Sequence, residues 1–393
     1  MTVDILPAEA ARGEQHIRVA SRLWPVLAVI GLALAGALLR YVVFAVQTGQ
    51  SGPLAYFDAL CVWDCGWYKT IIQTGYDLEP GTRLRPGAAN WAFFPLYPLM
   101  VDGLTTLTQL PVTVAGFLLS TTIIVAATVA SRPLFEGNDR AYWLCAFMVM
   151  VGPFSFLFNT IYTESLFILL TVLALVSLKR GEYVTAGLFS AFLSATRVTG
   201  VLMVFGIVAQ ALQDHLKGGG TWRGFPARVL TDTRLLLSIF LAPVGLFAYM
   251  AFLYFRAGDA LAFAHIQRAW NRDIGNPFEV LWGALALPWP PTPDAMVIMS
   301  WAWGAVVGLL LTLVLAARGR WPAAIFCGLT LLASLAGGIT SMIRFSAGLY
   351  PLGIAASELL AGNRLLLIFA VIAAVIMDVV LMSGWLRSSL FVM

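Results

Sequence analysis

Long runs of apolar residues recur along almost the whole chain, and this pattern restricts the fold more than any other feature. The runs lie near 23–46, 112–131, 141–158, 162–179, 183–196, 198–214, 235–256, 296–317, 321–340, 343–360 and 364–383. Only 11% of the 393 residues are charged, whereas soluble domains are nearer a quarter charged. A bilayer leaves backbone groups without water, so apolar segments cross it as helices. The pattern predicts an all-α polytopic membrane protein with about eleven transmembrane helices.

Charged residues predict the topology. Arg12, Arg18 and Arg22 precede the first apolar run, which makes residues 1–22 a cytoplasmic tail before a transmembrane domain at 23–383 and a C-terminal tail at 384–393. If the other basic clusters are also cytoplasmic, two large loops, 47–111 and 256–295, lie outside. Residues 91–111 hold Asp102 and three prolines, so we expect a re-entrant or surface-lying segment there rather than a span.

Cysteine and histidine positions give no metal pattern. Four cysteines and three histidines are present, and none follows zinc-ligand spacing. Cys61 and Cys65 are one helical turn apart, a poor geometry for a disulfide within one regular helix, so we interpret both as incidental small residues. The basic residues form no stripe, and no nucleic-acid partner is expected.

The polar segment Trp63-Asp64-Cys65-Gly66-Trp67-Tyr68 follows the first apolar run. On a helix, Asp64, Trp67 and Tyr68 share one face. Aromatic rings pack on the apolar face of a pyranose and a carboxylate serves as base toward a hydroxyl, so this face is typical of a sugar site. An interfacial aromatic belt with a solvated acid explains the spacing equally well.

Further ionisable residues stand at membrane depth. Glu164 opens an apolar run and either faces a cavity or complements a helix dipole. Arg197 and Arg344 interrupt apolar runs and need an anion, which is a lipid phosphate or a carboxylate such as Glu164. His265, Arg268 and Arg272 recur at three and four residues, which predicts one face of a short helix suited to a phosphate, or a plain amphipathic surface helix.

These residues stand within a longer pattern of spaced motifs: Trp63-Asp64 with Tyr68, Gly75-Tyr76, Phe93-Phe94-Pro95-Leu96-Tyr97-Pro98, Tyr162-Thr163-Glu164-Ser165-Leu166-Phe167, Thr196-Arg197 with Gly200, Gly258-Asp259 through Gln267 and Trp270, and Arg344-Phe345. In this order they resemble bacterial PIG-V-type (GPI mannosyltransferase II-like) mannosyltransferases of the GT-C glycosyltransferase superfamily. Where that family often has Ser-Asn-Gly after Thr-Arg, this chain has Val198-Thr199-Gly200.

The resemblance implies a GT-C fold and inverting transfer of a hexose, most often mannose. The implied donor is a polyprenyl-phosphate sugar, the acceptor is a lipid or glycan, and the implied location is a bacterial plasma membrane. The topology predicted from the charged residues puts the active site on the extracytoplasmic side. No cofactor is required, and a divalent metal is optional. The predicted catalytic residues are Asp64, as base, and Glu164. The predicted substrate-binding residues are Asp58, Trp63, Trp67, Tyr68, Tyr97, Arg197, His265, Arg268, Trp270 and Arg344.

Two other classes of protein fit a polytopic membrane chain. A lipid or glycolipid transporter, including a flippase, commonly has paired halves with broken helices, but the sequence contains no internal repeat. A non-catalytic membrane scaffold would not need ionisable residues concentrated on one face. An enzyme is the preferred interpretation.

Overall fold

The computed structural model describes residues 6–81 and 84–389, and within them the regular structure is entirely helical. The α-helices are Leu6–Thr48 (α1), Pro53–Ala59 (α2), Cys65–Thr74 (α3), Leu96–Thr108 (α4), Val112–Ala130 (α5), Asp139–Val151 (α6), Glu164–Lys179 (α7), Tyr183–Ser194 (α8), Met203–Lys217 (α9), Phe225–Thr231 (α10), Thr233–Leu241 (α11), Val244–Ala257 (α12), Ala262–His265 (α13), Pro277–Leu285 (α14), Pro293–Ala317 (α15), Trp321–Ala336 (α16), Met342–Ala347 (α17), Tyr350–Ala361 (α18) and Arg364–Leu386 (α19). Short 3₁₀ helices cover Asn90–Ala92, Arg132–Phe135, Ser155–Asn159, Val198–Leu202, Trp222–Gly224 and Ile266–Trp270.

Six helical segments of the described chain are long and apolar enough to cross a membrane. They are Leu23–Thr48, Val112–Ala130, Val198–Lys217, Thr233–Ala257, Pro293–Ala317 and Arg364–Leu386. The other five predicted apolar runs form shorter helices. In run 141–158, α6 ends before Gly152 and Pro153, and Phe154 has a φ of 66°. In run 343–360, Gly348 and Leu349 separate α17 from α18. The protein is therefore a polytopic helical membrane protein in which six candidate spans are accompanied by several shorter apolar helices.

The predicted domain boundaries do not coincide with the helix ends. Helix α1 begins at Leu6, well before the predicted start of the membrane domain at residue 23. Helix α19 ends at Leu386, three residues beyond the predicted end at 383. Residues 1–5 and 390–393 of the two predicted tails lie outside the described residues.

The segment 91–111 contains α4, and the length of this helix fits a non-crossing segment. Its 13 residues extend about 20 Å at 1.5 Å per residue, whereas the hydrocarbon core is about 30 Å thick. Asp102 is exposed on it. The side of the membrane on which it lies stays a prediction.

A buried charge pair holds the two terminal long helices together. Arg40 on α1 lies 3.7 Å from Asp378 on α19, and both side chains are almost wholly inaccessible. Ser155 donates to Asp378 at 2.9 Å and accepts from Arg40, and Arg40 also donates to Asn159 at 2.5 Å. Charges this deeply buried need partners. The cluster thereby fixes the 3₁₀ segment Ser155–Asn159, which leads directly to Glu164 at the start of α7.

Candidate active site

A cavity of about 500 Å³ lies where the two predicted outer loops meet the ends of the central helices. It is lined by aromatic, hydroxyl-bearing and charged side chains together with backbone. The lining residues include Asp64, Tyr68, Phe93, Phe94, Phe167, Thr196, Arg197, Phe263, Gln267, Trp270, Arg272, Thr330, Ser334, Ser341, Arg344 and Phe345. A concave, largely apolar space with a few converging polar groups is the usual form of a ligand site.

Asp64 reaches this cavity from a sharp turn between α2 and α3. Trp63 has a φ of 54°, a conformation uncommon for a residue other than glycine. The turn is secured by Tyr162, whose hydroxyl accepts from the Asp64 amide at 3.1 Å and donates to the Val62 carbonyl at 2.9 Å. The side chain of Asp64 remains 26% exposed, which leaves it accessible to a ligand in the cavity.

The same turn contains a disulfide between Cys61 and Cys65. Our expectation that these cysteines are unpaired was wrong. It assumed one regular helix through both residues, but Cys61 lies in the loop after α2 and Cys65 is the first residue of α3. The left-handed turn at Trp63 brings their α-carbons to 5.1 Å, within the normal range for a disulfide. The bond therefore encloses Asp64 in a five-residue covalent loop.

Two carboxylates and two arginines form a continuous chain beside the cavity. Arg344 Nη1 lies 2.7 Å from Asp64 Oδ2, and Arg344 Nε lies 3.5 Å from Glu164 Oε1. Arg197 Nη2 donates to the same Glu164 oxygen at 2.5 Å, and Arg197 Nε donates to Thr163 Oγ1 at 2.9 Å. The two positive charges of the arginines therefore equal the two negative charges of the carboxylates. Of the two partners considered for these arginines, the structure supplies the carboxylates.

The two carboxylates have different surroundings. Glu164 is fully buried at the first turn of α7, as expected of an acid at a helix N-terminus, and it does not line the cavity. Asp64 lines the cavity, and its Oδ1 accepts no hydrogen bond from the described residues. Asp64 therefore has one carboxylate oxygen open to the cavity, whereas Glu164 pairs with both arginines outside it.

Aromatic rings form one wall of the cavity. Trp67 stacks on Phe93 with ring centroids 5.7 Å apart and an interplanar angle of 14°. Trp270 meets both rings edge-on, at 5.3 and 6.1 Å. Phe93 and Trp270 line the cavity, while Trp67 supports them from behind. Burial raises the pKa of the Tyr68 hydroxyl above its usual value, and this hydroxyl donates a long hydrogen bond of 3.5 Å to Thr163 Oγ1.

Segment 262–272 is arranged differently from our prediction. Arg272 does not share a helix face with His265 and Arg268, because the 3₁₀ helix that follows α13 ends at Trp270. In a 3₁₀ helix residues three apart are aligned, and Gln267 and Trp270 accordingly both line the cavity. Arg272 also lines it, beyond the helix end.

Several predicted site residues lie away from the cavity or behind its wall. His265 bonds Asp259 at 2.6 Å, and Arg268 is exposed beside Asp273 at 3.6 Å. Asp58 accepts a hydrogen bond from Thr113 at 2.8 Å, and the Tyr97 hydroxyl lies 2.6 Å from that of Ser120. The indole nitrogen of Trp63 is buried without a partner in the described chain. The cavity does not include these residues.

Arg272 differs from the other cavity arginines in its pairing. In the described part of the chain, no carboxylate lies within ion-pair distance of its guanidinium. Arg85 lies nearby, with its guanidinium carbon 6.0 Å from the centroid of the Trp270 ring. Among the residues that the structure describes, no group of three or more potential ligand side chains could hold a metal ion.

Comparison with known protein families supports a glycosyltransferase. Residues 50–288 match the model of the mannosyltransferase (PIG-V) family, which is more than half of the 393 residues. The matched region contains Asp64, Glu164, Arg197 and Arg272 and ends before Arg344. A search of curated proteins gave no match. The extent of the family match, together with the helical membrane fold, shows that the chain belongs to the PIG-V family of mannosyltransferases.

Proposed function

We propose that this mannosyltransferase takes mannose from a polyprenyl-phosphate donor and transfers it, with inversion, to a hydroxyl of a lipid or glycan acceptor. Asp64 is the general base. The observation that carries the proposal is the position of Asp64: its carboxylate lines an aromatic cavity of about 500 Å³, with Oδ2 paired to Arg344 and Oδ1 unpaired in the described chain. Among the residues that the structure describes, no other carboxylate lines this cavity.

The proposed reaction is a single displacement. The acceptor oxygen attacks the anomeric carbon as its proton passes to Asp64 Oδ1, and the bond between that carbon and the phosphate oxygen breaks. The phosphate oxygen keeps the bonding electron pair and leaves as polyprenyl phosphate. One displacement inverts the anomeric configuration. Arg344 holds Asp64 in place through Oδ2 at 2.7 Å, so that the other oxygen is free to take the proton.

We assign the donor phosphate to Arg272 rather than to Arg344. Arg344 and Arg197 are neutralised by Asp64 and Glu164, whereas Arg272 lines the cavity without a carboxylate partner in the described chain. The leaving phosphate gains negative charge during transfer, and an arginine pairs with such a group through charge-assisted hydrogen bonds. Arg85 adds positive charge near Trp270.

Two observations support an extracytoplasmic site. Disulfides persist in oxidising compartments, and the Cys61–Cys65 bond lies in the turn that carries Asp64. A separate cavity is lined by Lys179, Lys217, Arg318 and Arg320 and shares no residue with the site. The positive-inside rule favours the cytoplasm for that basic end of the protein.

The test is turnover of purified protein with labelled polyprenyl-phosphate mannose and a membrane-lipid extract. Asp64→Asn preserves the shape of the side chain but removes its basicity, and loss of a general base typically lowers the rate about 10²–10⁴-fold. Asp58→Asn is the matched control, because Asp58 is in the same loop but bonds Thr113 outside the cavity. Near-normal turnover by Asp64→Asn would exclude it as the base.

A further inference from the structure

Two hydroxyl groups in the cavity wall are buried without a partner. Thr330 is 4% exposed and Ser341 is fully buried, and neither Thr330 Oγ1 nor Ser341 Oγ has a hydrogen-bond partner among the described residues. Buried hydroxyls in proteins nearly always find a partner, because leaving one unpaired costs its full desolvation. Both residues line the cavity, so a ligand in the cavity can provide the missing partners.

Helix α16 places two hydroxyl side chains at the cavity. Its lining residues are Thr330, Ala333, Ser334 and Ala336, and Thr330 and Ser334, four apart, share one helix face. Ser341, just before α17, has a φ of 67°. Backbone strain of this kind is concentrated at functional sites.

These hydroxyl residues are connected to the proposed base, Asp64, through Arg344. Arg344, three residues after Ser341, pairs with Asp64 at 2.7 Å. The wall of Thr330, Ser334 and Ser341 carries hydroxyls and no charge, so it suits a neutral polyhydroxyl group rather than a phosphate.

We propose that Thr330 and Ser341, with Ser334 beside them, form a subsite for hydroxyl groups of the mannose being transferred. The inference rests on the proposed function. It divides the cavity into three parts: Arg272 for the donor phosphate, the rings of Phe93 and Trp270 for an apolar sugar face, and this hydroxyl wall for the polar sugar edge.

The test compares Thr330→Val with Thr171→Val. Thr171 is also buried on α7 with an unpartnered Oγ1, but it does not line the cavity. Thr330→Val should raise the donor KM roughly tenfold, the effect of losing one hydrogen bond, while Thr171→Val should not change it. Both variants should melt at or above the wild-type temperature, because each removes an unpaired hydroxyl. Equal KM values for the two variants would overturn the subsite, and Ser341→Ala repeats the comparison on a second element.

Donors that lack single sugar hydroxyls give a readout that a structural role would not produce. With a deoxymannosyl donor that lacks the sugar hydroxyl contacted by Thr330, the donor KM of Thr330→Val should equal that of wild type. A rise in the acceptor KM alone would overturn the assignment to the donor sugar.

A separate measurement distinguishes failure of the subsite from failure of the proposed function. Wild-type protein that transfers no mannose from polyprenyl phosphate would contradict the proposed donor. In that case thermal stabilisation by methyl mannoside still tests the subsite: it should be present in wild type and Thr171→Val and weaker in Thr330→Val. Equal stabilisation of the three proteins would refute the subsite.

Discussion

Replacing Glu164 with glutamine should destabilise the protein more than replacing Asp64 with asparagine. Glu164 is fully buried, and its Oε1 lies 2.5 Å from Arg197 and 3.5 Å from Arg344. Glutamine retains the volume but removes the charge that balances the two guanidinium groups. Removing one partner of a buried ion pair costs about 3–5 kcal/mol.

The structure places this loss at the lower end of that range. Arg197 is 19% exposed, and solvent in the cavity screens its uncompensated charge, so we expect about 3 kcal/mol. At about 2 °C per kcal/mol for a large domain, the melting temperature should fall by roughly 6 °C. Asp64 is 26% exposed but its partner Arg344 only 7%, so Asp64→Asn should lower stability less than Glu164→Gln does, by about 1–2 kcal/mol.

The assay is thermal unfolding of detergent-purified wild type, Glu164→Gln and Asp64→Asn, with turnover measured on the same samples. Glu164→Gln should lose both stability and turnover, because Arg344 loses one of the two carboxylates that orient it toward Asp64. Asp64→Asn should lose turnover with a smaller fall in melting temperature. The assigned roles would be refuted if Glu164→Gln melted like wild type, or if Asp64→Asn were the less stable variant.

Two further predictions concern the donor and the turn. Arg272→Gln should raise the donor KM about 10- to 100-fold through loss of a charge-assisted hydrogen bond. The control is Arg268→Gln, at an exposed neighbouring residue, which should leave the donor KM unchanged. Steady-state kinetics measures both, and equal KM values for the two variants would remove Arg272 from the phosphate site. Replacing Cys61 and Cys65 with serine should lower kcat several-fold with a smaller change in KM, because the turn that presents Asp64 is less constrained. Wild-type kcat in this double variant would show that the hydrogen bonds of the turn suffice.

The sequence alone was sufficient for the class of fold. Each apolar run predicted a helix, because hydrophobicity and the hydrogen bonding of the backbone in a bilayer are local properties of a segment. Three of the predicted site residues, Asp64, Tyr68 and Trp270, line one cavity, and their roles there stay a prediction. The motif around Asp64 and the apolar pattern carry this information within short windows of sequence.

Pairings between distant residues could not be predicted in this way. Arg344 and Arg272 are both arginines in polar breaks of the sequence, yet the fold brings Arg344 to 2.7 Å from Asp64 and leaves Arg272 without a carboxylate partner in the described chain. Thr330 lies within an apolar run, and nothing in the sequence around it indicates a site residue. Such differences depend on which groups meet across the bundle.

The sequence by itself therefore determined a helical membrane protein with an acidic, aromatic segment after its first long helix. Tertiary structure decided which charges neutralise one another, which hydroxyls are buried beside the cavity, and that Cys61 bonds Cys65. The physical reason is that helix formation in lipid follows from local composition, whereas burial and electrostatic pairing depend on the positions of residues far apart in the chain.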